Sequence, residues 1–179
     1  SSGSRSVVIL EGSQKVLEKV RISGGGRCNL TNSCCEIYSL VNNYPRGEKQ
    51  LIGLFNRFST IDAFDWFQKK GLSLKIEKDG RVFPSSDSSE EVIKCLTAVA
   101  KKSGVKVFTN SHVKKIIMQK NGFNLFVKGN NCFEAKNILI CTGGHPSGRK
   151  LAKSLGHSIV NPVPSLFSLS TSDNSLQSC

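Results

Sequence analysis

The order of apolar and polar positions divides the chain into short strands and amphipathic helices. Val7-Val8-Ile9-Leu10 is a continuous aliphatic run closing on Glu11 and Gly12, the pattern of a strand buried on both faces with an acid at its carboxyl end. A polar, glycine-rich stretch follows to about Asn43. From Glu48 to Phe58, residues Leu51, Leu54, Phe55 and Phe58 fall at helical spacing, and Thr60 is expected to cap a second helix carrying Phe64 and Phe67 and ended by Gly71. The runs Leu72–Glu77 and Arg81–Phe83 flank Asp79-Gly80, which predicts a β-hairpin closed by a tight primed turn and stopped by Pro84.

Between Asp87 and Ser103, the positions Val92, Cys95, Leu96 and Val99 mark an amphipathic helix. Asp87 or Ser88 would cap it, acids fill its first turn, and Lys101 and Lys102 its last. Four short apolar runs, Val105–Phe108, His112–Gln119, Phe123–Lys128 and Cys132–Ala135, are divided by turn residues and suggest a small antiparallel β meander. Ile138–Cys141 returns to the character of a buried strand and runs into Thr142-Gly143-Gly144, with a helix expected from Ser147 to Leu155. Mixed strands and helices of these lengths define an α/β chain. Pro162 and Pro164 suggest a boundary, and residues Ser168 to Cys179 hold too little apolar content to complete a domain.

Composition narrows the partners. The 179 residues carry 25 Lys and Arg against 13 Asp and Glu, a formal charge of +12. Such a balance attracts polyanions, yet the basic residues are spread out, with no arginine-rich arm and no aromatic interleaving of the kind RNA-binding sheets use. A small-molecule substrate is therefore expected, with neither nucleic acid nor membrane as partner. No apolar run approaches the roughly 20 residues that cross a bilayer. Seven cysteines without a C-x-x-C pair or zinc spacing fit reduced thiols in an intracellular compartment, the cytoplasm or an organelle matrix or stroma. Ser1 to Ser4 has the look of a cloning remnant, too short and polar for a sorting signal.

Three features carry candidate chemistry. Glu11 ends a strand, where an acid in a dinucleotide-binding unit accepts ribose hydroxyls and elsewhere is a solvated turn residue. The segment Ser23-Gly24-Gly25-Gly26-Arg27-Cys28-Asn29-Leu30-Thr31-Asn32 lets backbone approach a ligand closely, with Arg27 and Lys19 as cations beside it. It is neither a Walker A loop, lacking the Gly-Lys-Ser/Thr ending, nor a G-x-G-x-x-G fingerprint, since Asn29 stands at the last glycine. Third, Thr142, Gly143 and Gly144 follow an apolar run, a place where a chain turns tightly under a cofactor or simply joins strand to helix. Cys28 beside Arg27 admits a redox reading, set against that of a small packing residue.

Together these segments resemble the BaiN-like flavoproteins, also called YhiN-like or aminoacetone-oxidase-like FAD-binding proteins. The likeness runs through Lys19 with Ile22–Asn32, through Asp79-Gly80-Arg81-Val82-Phe83-Pro84-Ser85-Ser86, and through Ile140-Cys141-Thr142-Gly143-Gly144. It continues through Leu155-Gly156-His157 and Pro162-Val163-Pro164-Ser165-Leu166. It implies a partial FAD/NAD(P)-binding Rossmann-like domain over residues 1–160, with 161–179 entering an inserted domain. It also implies an oxidoreductase cofactor pair, FAD with NAD(P)H as electron donor to an organic acceptor.

The resemblance places Glu11 on the adenosine ribose, and Lys19 with Ser23, Gly24, Gly25, Gly26, Arg27, Cys28, Asn29, Thr31 and Asn32 along the pyrophosphate and isoalloxazine. Val113 would offer its backbone to the adenine, while Thr142, Gly143 and Gly144 would pass beneath the flavin linker. The family's opening strand and G-x-G-x-x-G/A turn, and its closing segment, have no counterpart here, and His145–Arg149 stands where many members carry a longer glycine-rich loop. No catalytic acid or base is assigned. A nucleic-acid-binding module and a catalytically silent fragment that keeps the fold without flavin are the alternatives.

Overall fold

The computed structural model describes residues 6–129 and 131–163. The Ser1–Ser4 stretch, most of the proline motif from Pro164, and the polar tail lie outside the described residues. The chain divides into two compact units, residues 1–112 and 113–179.

In the first unit the elements are β1 (Val8–Leu10), α1 (Glu18–Ile22), a 3-10 turn (Ser23–Gly26), β2 (Thr31–Asn32), α2 (Ile37–Val41), α3 (Glu48–Phe55) and α4 (Thr60–Lys69). They are followed by β3 (Leu74–Ile76), β4 (Arg81–Pro84), α5 (Ser89–Lys102) and β5 (Lys106–Phe108). β1 pairs in parallel with β5, Ile9 opposite Val107. This corrects the expectation that residues 105–108 belong to the antiparallel meander: α5 serves as the crossover that returns the chain beside β1, a long-range pairing that a local pattern does not encode. A second sheet has the order β2-β4-β3, with Ile76 opposite Val82 and Thr31 opposite the same residue on the other edge.

The hairpin forms where predicted, but its turn differs. Gly80 N–H donates to the Glu77 carbonyl at 2.9 Å and Gly80 is left-handed (φ 83°), whereas Asp79 is absent from the positive-φ residues. That is a wider loop with glycine at its closing residue, not a two-residue primed turn. The helix beginning at Thr60 is capped one residue earlier. Ser59 Oγ accepts from the Asp62 amide while the Asp62 carboxylate accepts from Ser59, a reciprocal capping box. α5 carries its acids and lysines at the expected ends, but Ser88 makes no side-chain cap and Asp87 is committed elsewhere. Buried Cys28, Leu72 and Val92, packed by Val20, Leu30, Phe67, Leu74, Cys95 and Leu96, tie α1, the glycine segment, the hairpin and the helices into one core. Burial holds the Cys95 thiol above its ordinary range.

The second unit is a meander, β6 (Val113–Gln119), β7 (Gly122–Val127) and β8 (Cys132–Ala135), followed by α6 (Pro146–Ser154). Ile116, Leu125 and Phe133 stand opposite one another across the three strands, so period-2 alternation places them on one face. The expected buried strand at Ile138–Cys141 does not form. The segment pairs with no strand among the described residues, and Leu139 is 86% exposed. An apolar run codes for a buried strand only where neighbouring strands accept it. Among the described residues, no helix is long and apolar enough to cross a membrane.

Candidate functional site

Glu11 stands where β1 ends, and its neighbours fix it on both sides of the chain. Its backbone amide donates to the Phe108 carbonyl at 2.8 Å, and its carbonyl accepts from Ser111 at 2.7 Å. The Ser13 amide (2.8 Å) and hydroxyl (2.7 Å) both donate to Glu11 Oε1, which holds the carboxyl below its ordinary value. The backbone amide of Ser13 is the larger cause. The Gly12 amide acts in the same direction, and an ionised carboxylate keeps further lone pairs that can accept a ligand's hydroxyls.

The glycine segment follows α1 directly. Gly24 (φ 56°) and Gly25 (φ 67°) are both left-handed, a conformation that costs other residues about 1–2 kcal/mol each. The two glycines answer different demands. A Cβ on Gly24 would stand 2.7 Å from the Asn29 amide nitrogen and 3.2 Å from the Phe83 ring, whereas a Cβ on Gly25 would meet nothing within 4 Å. Gly24 thus faces protein and Gly25 faces open space, the clearance a bound ligand needs. Lys19, on α1, is exposed and has no ion-pair partner among the described residues.

Arg27 turns out to be internally engaged. Its Nε donates to Asp87 Oδ1 at 2.7 Å, its Nη2 to Glu77, and its guanidinium carbon lies 3.9 Å from the centroid of the fully buried Phe83 ring. Glu77 and Asp87 hold the guanidinium above its ordinary value, and Lys75 and Arg27 together hold Asp87 below its own. Arg27 therefore clamps the glycine segment to the hairpin, with its charge already balanced. These carboxylates lie 50 and 60 residues away in sequence, so nothing local signals them. Phe83 did lie within a recognisable motif, though without a role.

The rest of the segment continues the clamp. Cys28 is left-handed (φ 61°) and only 6% exposed, its thiol inside the core and its amide donating to the Ser23 carbonyl at 2.9 Å. Asn29 is exposed. Thr31 and Asn32 form β2 against β4; Thr31 Oγ1 donates to the Thr60 carbonyl at 3.3 Å, and Asn32 Oδ1 accepts from the Cys34 amide at 2.8 Å.

Glu11, Lys19 and Ser23 to Asn32 thus belong to the first unit, while Val113, Thr142, Gly143 and Gly144 belong to the second. Val113 opens β6 opposite Val127, beside a bulge that leaves Lys114 as the extra residue. Thr142, Gly143 and Gly144 are exposed, and a Cβ on either glycine would meet nothing within 4 Å. Gly148 escaped the sequence reading: a side chain there would overlap the Thr142 hydroxyl, so its absence lets α6 begin against Thr142. His145 caps α6, its Nδ1 accepting from the Ser147 amide at 3.2 Å, and Arg149 donates to the Gly144 carbonyl at 2.9 Å. Among the described residues, no cluster of His, Cys, Asp and Glu is arranged for a metal ion.

A parallel β1–β5 pair, with α5 leading into its second strand and a carboxylate at the end of its first, is the arrangement of a Rossmann-like domain. The chain belongs to the family described as the HI0933-like protein Rossmann domain, an FAD-binding flavoprotein family, whose model matches residues 1–166. It is 28% identical over 177 residues to the 3-dehydro-bile acid delta(4,6)-reductase of Clostridium scindens, covering 94% of this chain and 42% of that protein. Ribosomal RNA dihydrouridine synthases are also similar: that of Escherichia coli at 27% over 164 residues (87% of this chain, 40% of that protein) and that of Haemophilus influenzae at 24% over 174 (90% and 42%). The chain spans about two fifths of the length of these curated relatives.

Proposed function

We propose that the whole protein is an FAD-dependent oxidoreductase, in which NAD(P)H supplies hydride to the flavin and an organic molecule accepts it. The carrying observation is the left-handed Gly24-Gly25 turn, clamped through Arg27 on one side and open at Gly25 on the other. Its geometry fits a flat, extended cofactor passing close to backbone. Glu11 fits the same ligand, because an ionised carboxylate fixed in place by Ser13 keeps lone pairs that can accept from a ribose diol. The flavin, when bound, supplies the hydride chemistry, while this chain's residues bind it, orient it and exclude competing geometries.

The test is a visible spectrum of the full-length protein after gel filtration with FAD, followed by anaerobic addition of NADH or NADPH. A retained flavin band that bleaches with either nucleotide supports the proposal. A protein that elutes free of flavin rejects it, and a retained band that neither nucleotide bleaches rejects the nicotinamide donor.

A second reading concerns the acceptor. Residues 113–179 carry eight Lys and Arg against two Asp and Glu, and two relatives are named for ribosomal RNA. An acceptor base within RNA fits that balance, a small organic acid the first relative's name. RNA affinity that falls steeply with salt favours the former, and salt-independent turnover of a small acid the latter.

A further inference from the structure

We infer that the outer face of the β6–β8 meander is a surface for single-stranded RNA, with a notch over Gly122 that takes one guanine base. The inference deepens the RNA reading of the acceptor given above and does not depend on the flavin. Side chains alternate along a strand, so the register sorts the meander into two faces. Ile116, Leu125 and Val127, all buried, mark the inner one. On the outer face Lys115 stands opposite Phe126, Asn124 opposite Glu134, and Gln119 opposite Gly122, with Lys136 just past the end of β8. Lys115, Gln119, Glu134 and Lys136 are exposed, while Phe126 and Asn124 are half-buried. An aromatic ring on a central strand with a cation beside it is what sheets that bind single-stranded RNA use to stack bases. Pairing of strands brings together here an aromatic and a cation that the linear sequence keeps apart.

Gly122 leaves the middle of its row empty. A Cβ there would stand 2.5 Å from the Ala135 carbonyl oxygen, so only glycine lets β7 close on the end of β8. The resulting notch has a volume of about 400 Å³ and is lined by Gln119, Asn121, Asn124, Glu134 and Lys136 around Gly122. Gln119 and Lys136 flank it two strand spacings apart, about 9.6 Å, wide enough for a flat heterocycle. Its side chains are three amides, a carboxylate and an amine, all suited to hydrogen bonding. No ion pair among the described residues engages Glu134 or Lys136. A carboxylate accepts two neighbouring N–H donors, and among the RNA bases guanine presents such a pair, with its O6 acceptor beside them for a lysine or an amide. Residues 113–179 hold eight Lys and Arg against two Asp and Glu, the balance that attracts a phosphate backbone. An acidic peptide would answer those cations but would set like charge against Glu134 and leave the Phe126 ring without a plane to stack on.

The experiment measures binding of the full-length protein to a short oligouridine, and to the same oligomer with one central guanine or adenine, by fluorescence anisotropy over a range of salt. Wild type is expected to bind the guanine oligomer about tenfold more tightly than the adenine one, and Glu134→Ala to lose that preference. Phe126→Leu is expected to weaken all three oligomers by about tenfold. Lys115→Gln combined with Lys136→Gln should lower the salt slope by about two, whereas Lys102→Gln on α5 should stay within about twofold of wild type. The Glu134 and lysine variants lie at exposed positions and decide the matter even where Phe126→Leu unfolds. A wild type without guanine preference, or a preference that survives Glu134→Ala, overturns the inference. RNA affinity indifferent to Phe126→Leu and to the double lysine variant also overturns it, and leaves the RNA reading standing on another surface. So does an equal loss in Lys102→Gln, or polyglutamate that competes as well as RNA, since either marks a general attraction of polyanions. Wild type that binds no RNA defeats the RNA reading and this inference together.

Discussion

The two glycine turns of this protein are built on opposite plans. Gly24–Gly26 sits inside a lattice of charges: Arg27 joins Glu77 and Asp87, Asp87 joins Lys75, Arg81 joins Glu77 and Asp79, and Phe83 lies under both arginines. Thr142–Gly144 is exposed and held chiefly by α6, through Gly148 and the Arg149 bond to Gly144. The contrast extends to their units, since every pair joining Lys or Arg to Asp or Glu among the described residues lies in the first. A turn braced from within can hold a ligand-binding geometry before the ligand arrives, which lowers the ordering cost of binding. The first turn is of that kind.

Gly24→Ala should break the contrast hardest. It combines a left-handed alanine with an overlap on the Asn29 amide, together about 2–4 kcal/mol, and is expected to lower the Tm of the unit by roughly 10 °C or more while abolishing retained flavin. Gly25→Ala, with no atom to strike, should cost about 1–2 kcal/mol in thermal unfolding yet weaken FAD binding by a larger factor than its stability loss explains. Equal destabilisation by the two alanines would show that both glycines face protein.

Smaller effects sharpen the comparison. The Asp87 carboxyl is held below its ordinary 3.8, first by Lys75 and then by Arg27, so its stabilising contribution is complete above about pH 5 and is lost as pH falls through and below 3.8. Asp87→Asn should therefore lower Tm at pH 7, and the two melting curves should converge in acid. High salt should narrow the gap at pH 7 as well, because Asp87 is exposed and its two cationic partners are partly so. At the bottom of the scale, Lys114→Gln and Lys150→Gln should leave Tm unchanged, since neither lysine has a carboxylate partner among the described residues.

Local signals made part of this legible in advance. The period of α5, the meander at residues 113–135 and the Asp79-Gly80 hairpin each follow from residues adjacent in sequence, and the structure contains all three. Pairings at a distance were hidden: β5 joins β1 across almost a hundred residues, and Arg27 finds its carboxylates on the hairpin and before α5. The reading of Ile138–Cys141 failed for a related reason, because apolar character alone cannot say whether a neighbouring strand is present. Within the candidate site, the glycines and Glu11 were visible as residue types. Ser13, Phe83, Glu77 and Asp87, which position them, were not, since their importance lies in contacts.

On the proposed function, the clamped glycine turn and the strand-end carboxylate receive one flavin dinucleotide. A crystal structure of the full-length protein with FAD tests it most directly. Cofactor atoms in van der Waals contact with the Gly25 backbone and a ribose hydroxyl on the Glu11 carboxylate are expected. FAD bound elsewhere, with Gly25 turned to solvent and Glu11 empty, would contradict it.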